Sequence, residues 1–143
     1  EFDKTLEINF LKNSDKILLN CDKEQLSRVF FNLIKNSIES IKQKSEKSGD
    51  FNKKISIEIL DNIDHIKLII VDNGVGFDQI KNDIKKIINP YFTTKKNGTG
   101  LGLSIVNKII NDHNGEILFI PITNGAKVEI NFKLNGDRNF NSR

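Results

Sequence analysis

The chain reads as an α+β domain: a two-layer α/β sandwich whose mixed, mostly antiparallel sheet carries helices on one face. Three observations predict this. Residues 22–45 and 101–113 place apolar side chains at helical spacing. Residues 55–59, 66–71, 116–122 and 127–134 place them in alternation or in a short apolar run. The last two of these flank Asn124-Gly125, a strong hairpin turn. With 143 residues and 37% hydrophobic content, the chain suits one domain with a single core.

Taken in order, residues 4–11 and 16–20 predict short strands. Asp22 offers a helix N-cap, with Gln25 three residues on as in a capping box. Leu26, Val29, Phe30, Leu33, Ile34, Ile38 and Ile41 then form the stripe of a long amphipathic helix over 22–45, which ends in a polar loop. Ile55, Ile57 and Ile59 mark a half-buried strand, and Asp61-Asn62-Ile63-Asp64 a turn. The run from Ile66 to Val71 predicts a strand central in the sheet. Ile80, Ile84, Ile87 and Ile88 give a weak helix over 80–88, which Pro90 ends. Residues 90–100 carry no regular pattern. In the helix over 101–113, Ile105, Val106, Ile109 and Ile110 face the core, and Gly115 stands where a C-terminal cap belongs. Residues 136–143 read as a loose tail.

Bulk composition excludes several function classes. A net charge of +3, from 22 basic and 19 acidic residues, is too small to argue for nucleic acid. The single cysteine, Cys21, permits no intrachain disulfide and suits a reducing compartment. His65 and His113 belong to no cluster with zinc-site spacing. No apolar run approaches the ~20 residues that span a bilayer, and no signal peptide opens the chain. Glu1-Phe2 reads as a cloning remnant, and the whole as a domain cut from something longer.

Three blocks carry chemistry. Asn32 and Asn36 lie four apart and share a helical face beside the apolar stripe. They either hydrogen-bond the core edge or serve a Mg²⁺ ion, which takes oxygen ligands, keeps several waters and needs few protein groups. Asp72-Asn73-Gly74-Val75-Gly76 follows the apolar strand and leads into a helical stretch rather than a second strand. There Asp72 can accept a hydrogen bond from an exocyclic amine such as adenine N6, while Gly74 and Gly76 let backbone approach the base. Gly98-Thr99-Gly100-Leu101-Gly102-Leu103 feeds a helix N-terminus, whose N–H groups and dipole suit phosphate. The spacing is neither the dinucleotide fingerprint nor a Walker loop. Between these blocks, Pro90-Tyr91-Phe92-Thr93-Thr94-Lys95-Lys96 has the place of a mobile lid. Phe92 could anchor it, and Lys95 or Lys96 could meet a γ-phosphate as a point charge or remain a solvated tip.

In this order, Asn-x-x-x-Asn, Asp-x-Gly-x-Gly, Pro-Tyr-Phe-Thr-Thr-Lys and Gly-Thr-Gly-Leu-Gly-Leu resemble the N, G1, F and G2 boxes of bacterial sensor histidine kinases. The resemblance covers roughly residues 5–135 and implies the Bergerat ATP-binding (GHKL) fold, shared with gyrase B, MutL and the heat-shock ATPases. Ile105-Val106-Asn107-Lys108 through His113-Asn114-Gly115 is most similar to the nitrogen-regulation type, NtrY or NtrB.

The resemblance implies a catalytic ATP-binding domain over 1–135, with an ATP lid at about 77–99. It implies ATP and Mg²⁺ as ligands. Asn36 would hold the metal and Asn32 would sit beside the phosphates; Asp72 would read adenine N6 with Gly74 and Gly76 at the base. Phe92, Thr93 and Lys95 would belong to the lid, with Asn32 and Lys95 nearest the transfer. Gly98, Thr99, Gly100, Leu101, Gly102 and Leu103 would wrap the triphosphate. Gly125-Ala126-Lys127-Val128 resembles the family's last turn near adenine.

The implied partners are an acceptor-histidine dimerisation domain of the same parent kinase and a downstream response regulator. The fragment would be monomeric and cytoplasmic; the parent would be homodimeric and anchored in the bacterial inner membrane.

Two departures stand out. Glu39 occupies a position where many sensor kinases have Lys, so that a phosphate contact would fall to Lys35, Lys95 or Lys96. Neither His65 nor His113 lies in the context of an acceptor histidine, so the fragment alone is not expected to autophosphorylate. Two other readings stay open. A GHKL ATPase or anti-sigma serine kinase would place Glu where Asn32 stands, and Asn32 cannot act as a general base. A degenerate module would bind nucleotide or a partner without phosphotransfer.

Overall fold

The computed structural model describes residues 5–77 and 102–134. Its elements are β1 (Leu6–Lys12), α1 (Lys23–Ser48), β2 (Lys53–Asp61), β3 (His65–Asp72), α2 (Gly102–Asp112), β4 (Gly115–Ile122) and β5 (Gly125–Lys133). The sheet runs β1-β2-β3-β5-β4; β1 pairs parallel with β2 and the remaining pairs are antiparallel. Parallel neighbours need a crossover, which α1 supplies between β1 and β2. The expected α+β architecture is therefore present, with β3 in the middle of the sheet.

Local chemistry explains α1. Asp22 is extended (φ −79°), and its carboxylate accepts the Gln25 N–H at 3.0 Å. Leu26, Val29, Leu33, Ser37 and Ile41 form its buried stripe. Gly49, at φ 81°, closes the helix by donating its N–H to Ser45 O at 3.0 Å. The helix thus runs three residues past the expected end at 45, because a left-handed residue becomes available only at Gly49.

The core lies between the helices and one sheet face. Ile66, Leu68 and Ile70 point into it from β3, joined by Ile55, Ile130 and Phe132 from the strands beside it. Val29, Val106 and Ile110 close it from above, each at most 1% exposed. Burying such a side chain stabilises the fold by about 1.5–3 kcal/mol.

Three local expectations need correction. Residues 16–20 form no strand: Ile17 and Leu19 pack half-buried on the core, but no ladder pairs this segment. Alternation marks which side chains turn inward, and a strand also needs a neighbour. The left-handed residue after α2 is Asn114 (φ 57°), while Gly115 opens β4. Glycine is needed there for space, since a Cβ would lie 2.8 Å from Ile110 Cγ2 and 3.0 Å from Asn131 O. In the last hairpin Ile122 pairs with Gly125, so the loop residues are Thr123 and Asn124 (φ 59°) rather than Asn124-Gly125. The expected helix over 80–88, its end at Pro90, the irregular stretch 90–100 and the tail 136–143 lie outside the described residues.

Candidate functional site

One row of polar side chains runs down α1 beside its buried stripe. Asn32, Asn36, Ser40 and Lys44 follow at intervals of four and share a face. From first to last the row extends about 18 Å along the helix axis. The Asn32 amide nitrogen donates back to Arg28 O at 2.8 Å. Its oxygen faces the start of α2, where a Cβ added to Gly102 would lie 3.1 Å away. Asn36 is half-buried midway along the row.

Asp72 ends the central strand and is the buried acid of the domain's described core, 6% exposed. Period-two alternation puts it on the same face as Ile70, under α1. Its Oδ1 accepts the Gly74 N–H at 2.9 Å. Burial pushes its pKa up from the ordinary 3.8; the Gly74 N–H, the Ser37 and Ser40 hydroxyls and the Lys44 ammonium pull the other way. Ser40 Oγ is buried beside this carboxylate.

The turn after Asp72 is tied down on both sides, which explains why Asn73-Gly74 makes no hairpin. Asn73 Nδ2 donates to Asn52 O at 2.6 Å, and its Oδ1 accepts the Lys54 N–H at 2.9 Å. Val75 N–H donates to Ser40 O at 3.3 Å. Gly74 lets this backbone reach α1: a Cβ there would meet Ser40 C at 2.6 Å and Ile41 N at 2.7 Å. Gly76 takes φ 72° and packs under Gly125, whose carbonyl oxygen a Cβ would strike. Ala126, from the segment expected near the base, pairs in register with Asp72.

The structure therefore sets Gly74, after Asp72, against the Ser40 end of the polar row on α1 and Gly102 against its Asn32 end, with Asn36 between them and Gly76 packed on Gly125. Leu103 is half-buried and packs its side chain against the core. Phe92, Thr93, Lys95, Gly98, Thr99, Gly100 and Leu101 lie outside the described residues. Phe77, at the start of the expected lid, packs edge-on against Phe119 of β4 at 6.0 Å. Lys35 pairs with Glu39 at 4.0 Å on the helix exterior.

Both histidines are engaged structurally. His113 Nδ1 donates to Ile109 O at 2.7 Å, and its Nε2 accepts the Asp22 N–H at 3.0 Å. His65 Nδ1 lies 2.6 Å from Asp64 Oδ1 in the β2–β3 turn. Ser37, Ser40, Asn73 and Lys44 were not singled out from the sequence. Continuing the four-residue interval from Asn32 and Asn36 would have found Ser40 and Lys44.

Comparison with known proteins identifies the family. Residues 21–136 match the family described as histidine kinase-, DNA gyrase B-, and HSP90-like ATPases. The chain is 36% identical over 129 residues to an NtrY-like sensor histidine kinase of Rickettsia felis, covering 87% of this chain and 20% of that protein. It is 39% identical over 98 residues to sporulation kinase E of Bacillus subtilis, covering 68% of this chain and 12% of that one. The catalytic domain of histidine kinase ThkA superposes with a TM-score of 0.76 at 28% identity, covering 94% of this chain and 83% of that domain. The chain spans only 12% of the length of sporulation kinase E, 20% of the NtrY-like kinase and 24% of sporulation kinase C of Bacillus subtilis. No helix among the described residues is long and apolar enough to cross a membrane. By sequence over most of its length, and by architecture, the chain belongs to the histidine kinase-, DNA gyrase B-, and HSP90-like ATPase family, with sensor histidine kinases among its homologues.

Proposed function

We propose that this domain binds Mg·ATP and donates the γ-phosphate to a histidine on a separate dimerisation domain of its parent kinase. The carrying observation is Asp72, a buried carboxylate held at the end of the central strand with one oxygen bound to Gly74 N–H. Among the described residues no cation forms a salt bridge with Asp72; a buried acid of this kind is costly to the fold, and recognition of a ligand amine gives it a use. In this reading Asp72 takes the adenine end, and Asn32 with the start of α2 takes the phosphate end. Lys95 meets the γ-phosphate, and backbone amides across Gly98–Leu103 hold the polyphosphate.

Magnesium fits the donor set. Asn36 offers a hard amide oxygen, and the phosphates and water would complete the shell. Among the described residues no group of three or more His, Cys, Asp or Glu side chains could hold an ion by itself. Bound there, the ion would neutralise charge on the transferring phosphoryl group. The chain's own residues orient the nucleotide and present its terminal phosphate. The acceptor nitrogen forms the new P–N bond as the bond to the β-phosphate oxygen breaks, leaving ADP. A response regulator then receives the group; the related ThkA has been solved in complex with response regulator TrrA, which supports such a protein as the partner. The parent is proposed to be a membrane-anchored homodimer, as the resemblance to NtrY implies.

Titration calorimetry with an ATP analogue, with and without Mg²⁺, tests the reading on wild type and Asn36→Ala. Magnesium-dependent binding that weakens about tenfold or more in the variant is expected. Equal binding with and without the ion would remove the metal role. Phosphotransfer to a supplied acceptor domain separates a kinase from a module that only binds nucleotide.

A further inference from the structure

We propose that Lys44 is a positioning residue that sets the amine-reading geometry of Asp72 by clamping the Asn73–Gly74 peptide between them. The inference rests on the reading of Asp72 given above. Lys44 Nζ donates to Asn73 O at 2.8 Å, while the N–H of the same peptide, on Gly74, donates to Asp72 Oδ1 at 2.9 Å. A trans peptide is planar, and its C=O and N–H point in opposite directions. One cation and one carboxylate therefore hold the two ends of a single peptide plane. A flip of that plane would break both bonds at once. The ammonium also polarises the carbonyl, which strengthens the N–H as a donor to the carboxylate.

Lys44 is itself held in place. Its ammonium lies 4.7 Å from the centroid of the Phe51 ring, a cation–π contact that fixes the head of a flexible side chain. It ends the polar row of α1, so the helix that carries Asn32 and Asn36 also governs the turn beneath the base. Asn73 anchors the other side of the peptide on Asn52 O and Lys54 N–H. Lys44 is also the charged group whose field favours the ionised form of Asp72 against the effect of burial.

The test uses Lys44→Met, which keeps the apolar stem and removes the ammonium, with Lys44→Arg as the conservative rescue. Calorimetry compares ATP with the purine riboside triphosphate that lacks the 6-amino group. In Lys44→Met, ATP affinity should fall about 3- to 10-fold, less than the loss of the Asp72 hydrogen bond itself, because Lys44 acts on the ligand only through the Asn73–Gly74 peptide. Affinity for the amine-free analogue should stay within twofold, and Lys44→Arg should recover most of the loss. In an Asp72→Asn background the substitution should cost nothing further. In ¹⁵N-correlation spectra without ligand, the Gly74 amide proton should move upfield in Lys44→Met. That signal reports the clamp even if nucleotide is not recognised through Asp72.

Equal losses for both nucleotides, an unchanged ATP affinity, or the same loss in the Asp72→Asn background would overturn the proposal. A wild type that binds both nucleotides equally would instead overturn the reading of Asp72. If Lys44→Met does not fold, Lys44→Gln carries the same comparison.

Discussion

Asp72→Asn should make the domain more stable and a poorer nucleotide binder at the same time. Asp72 is 6% exposed, and burial raises its pKa above 3.8. A carboxyl group that holds its proton more tightly when folded stabilises the fold below its unfolded pKa. That contribution is lost as pH rises through the higher folded pKa. At neutral pH the ionised side chain is therefore a net cost. The amide removes that charge and can keep the Gly74 N–H bond through its oxygen. The gain expected for relieving a functional site is about 0.5–2 kcal/mol, or roughly 2–6 °C in Tm for a chain of this size. The gap between variant and wild type should narrow as pH falls through the raised folded pKa and close below 3.8, where the carboxyl is protonated in both the folded and the unfolded chain.

Binding should move the other way. With its oxygen on Gly74, the amide presents an NH₂ to a ligand amine, donor against donor. Losing a hydrogen bond to a charged acceptor costs about 1.5–3 kcal/mol, roughly 10- to 150-fold in Kd. Thermal melts from pH 3 to 8, alongside titration calorimetry with ATP, measure both effects. A variant that melts below wild type at pH 7, with a gap that does not change in acid, would refute the electrostatic argument. Unchanged ATP affinity would remove Asp72 from the site.

Other substitutions test the scaffold. Ile110→Ala empties a position that is 0% exposed and should cost about 3 kcal/mol, lowering Tm by roughly 10 °C in a thermal melt. Gly76→Ala sets a Cβ against Gly125 O at φ 72° and should destabilise by more than about 1 kcal/mol; an unchanged denaturant midpoint would show that the turn can relax. His113→Phe keeps a ring but deletes the bonds to Asp22 N–H and Ile109 O. Chemical unfolding should show a loss of about 1–2 kcal/mol, and nucleotide affinity should follow only if the α1–α2 junction shifts.

Much of the site was legible because its parts are local patterns. The four-residue interval of Asn32 and Asn36, the Asp-x-Gly-x-Gly block and the glycine run before α2 each declare themselves within a few residues. Lys44 was hidden because it stands in a polar segment that reads as the frayed end of a helix. Only Gly49, closing α1 at Ser45, keeps that last turn helical and aims Lys44 at Asn73. Asn73 was hidden for a different reason. Next to glycine it signals a hairpin, and its actual partners, Asn52 and Lys54, lie about twenty residues away along the chain.

The sequence by itself determined the kinds of element and the face each buries, since periodicities of 3.6 and 2 are properties of a single segment. It also determined that Asp72 would end a buried strand and that two glycines would follow it. Tertiary structure alone decided the strand order, with β5 beside β3 and β1 parallel to β2. It alone brought Lys44 and Asp72 to opposite ends of one peptide. Pairing depends on which surfaces meet after the chain closes loops of tens of residues, and no local pattern carries that information.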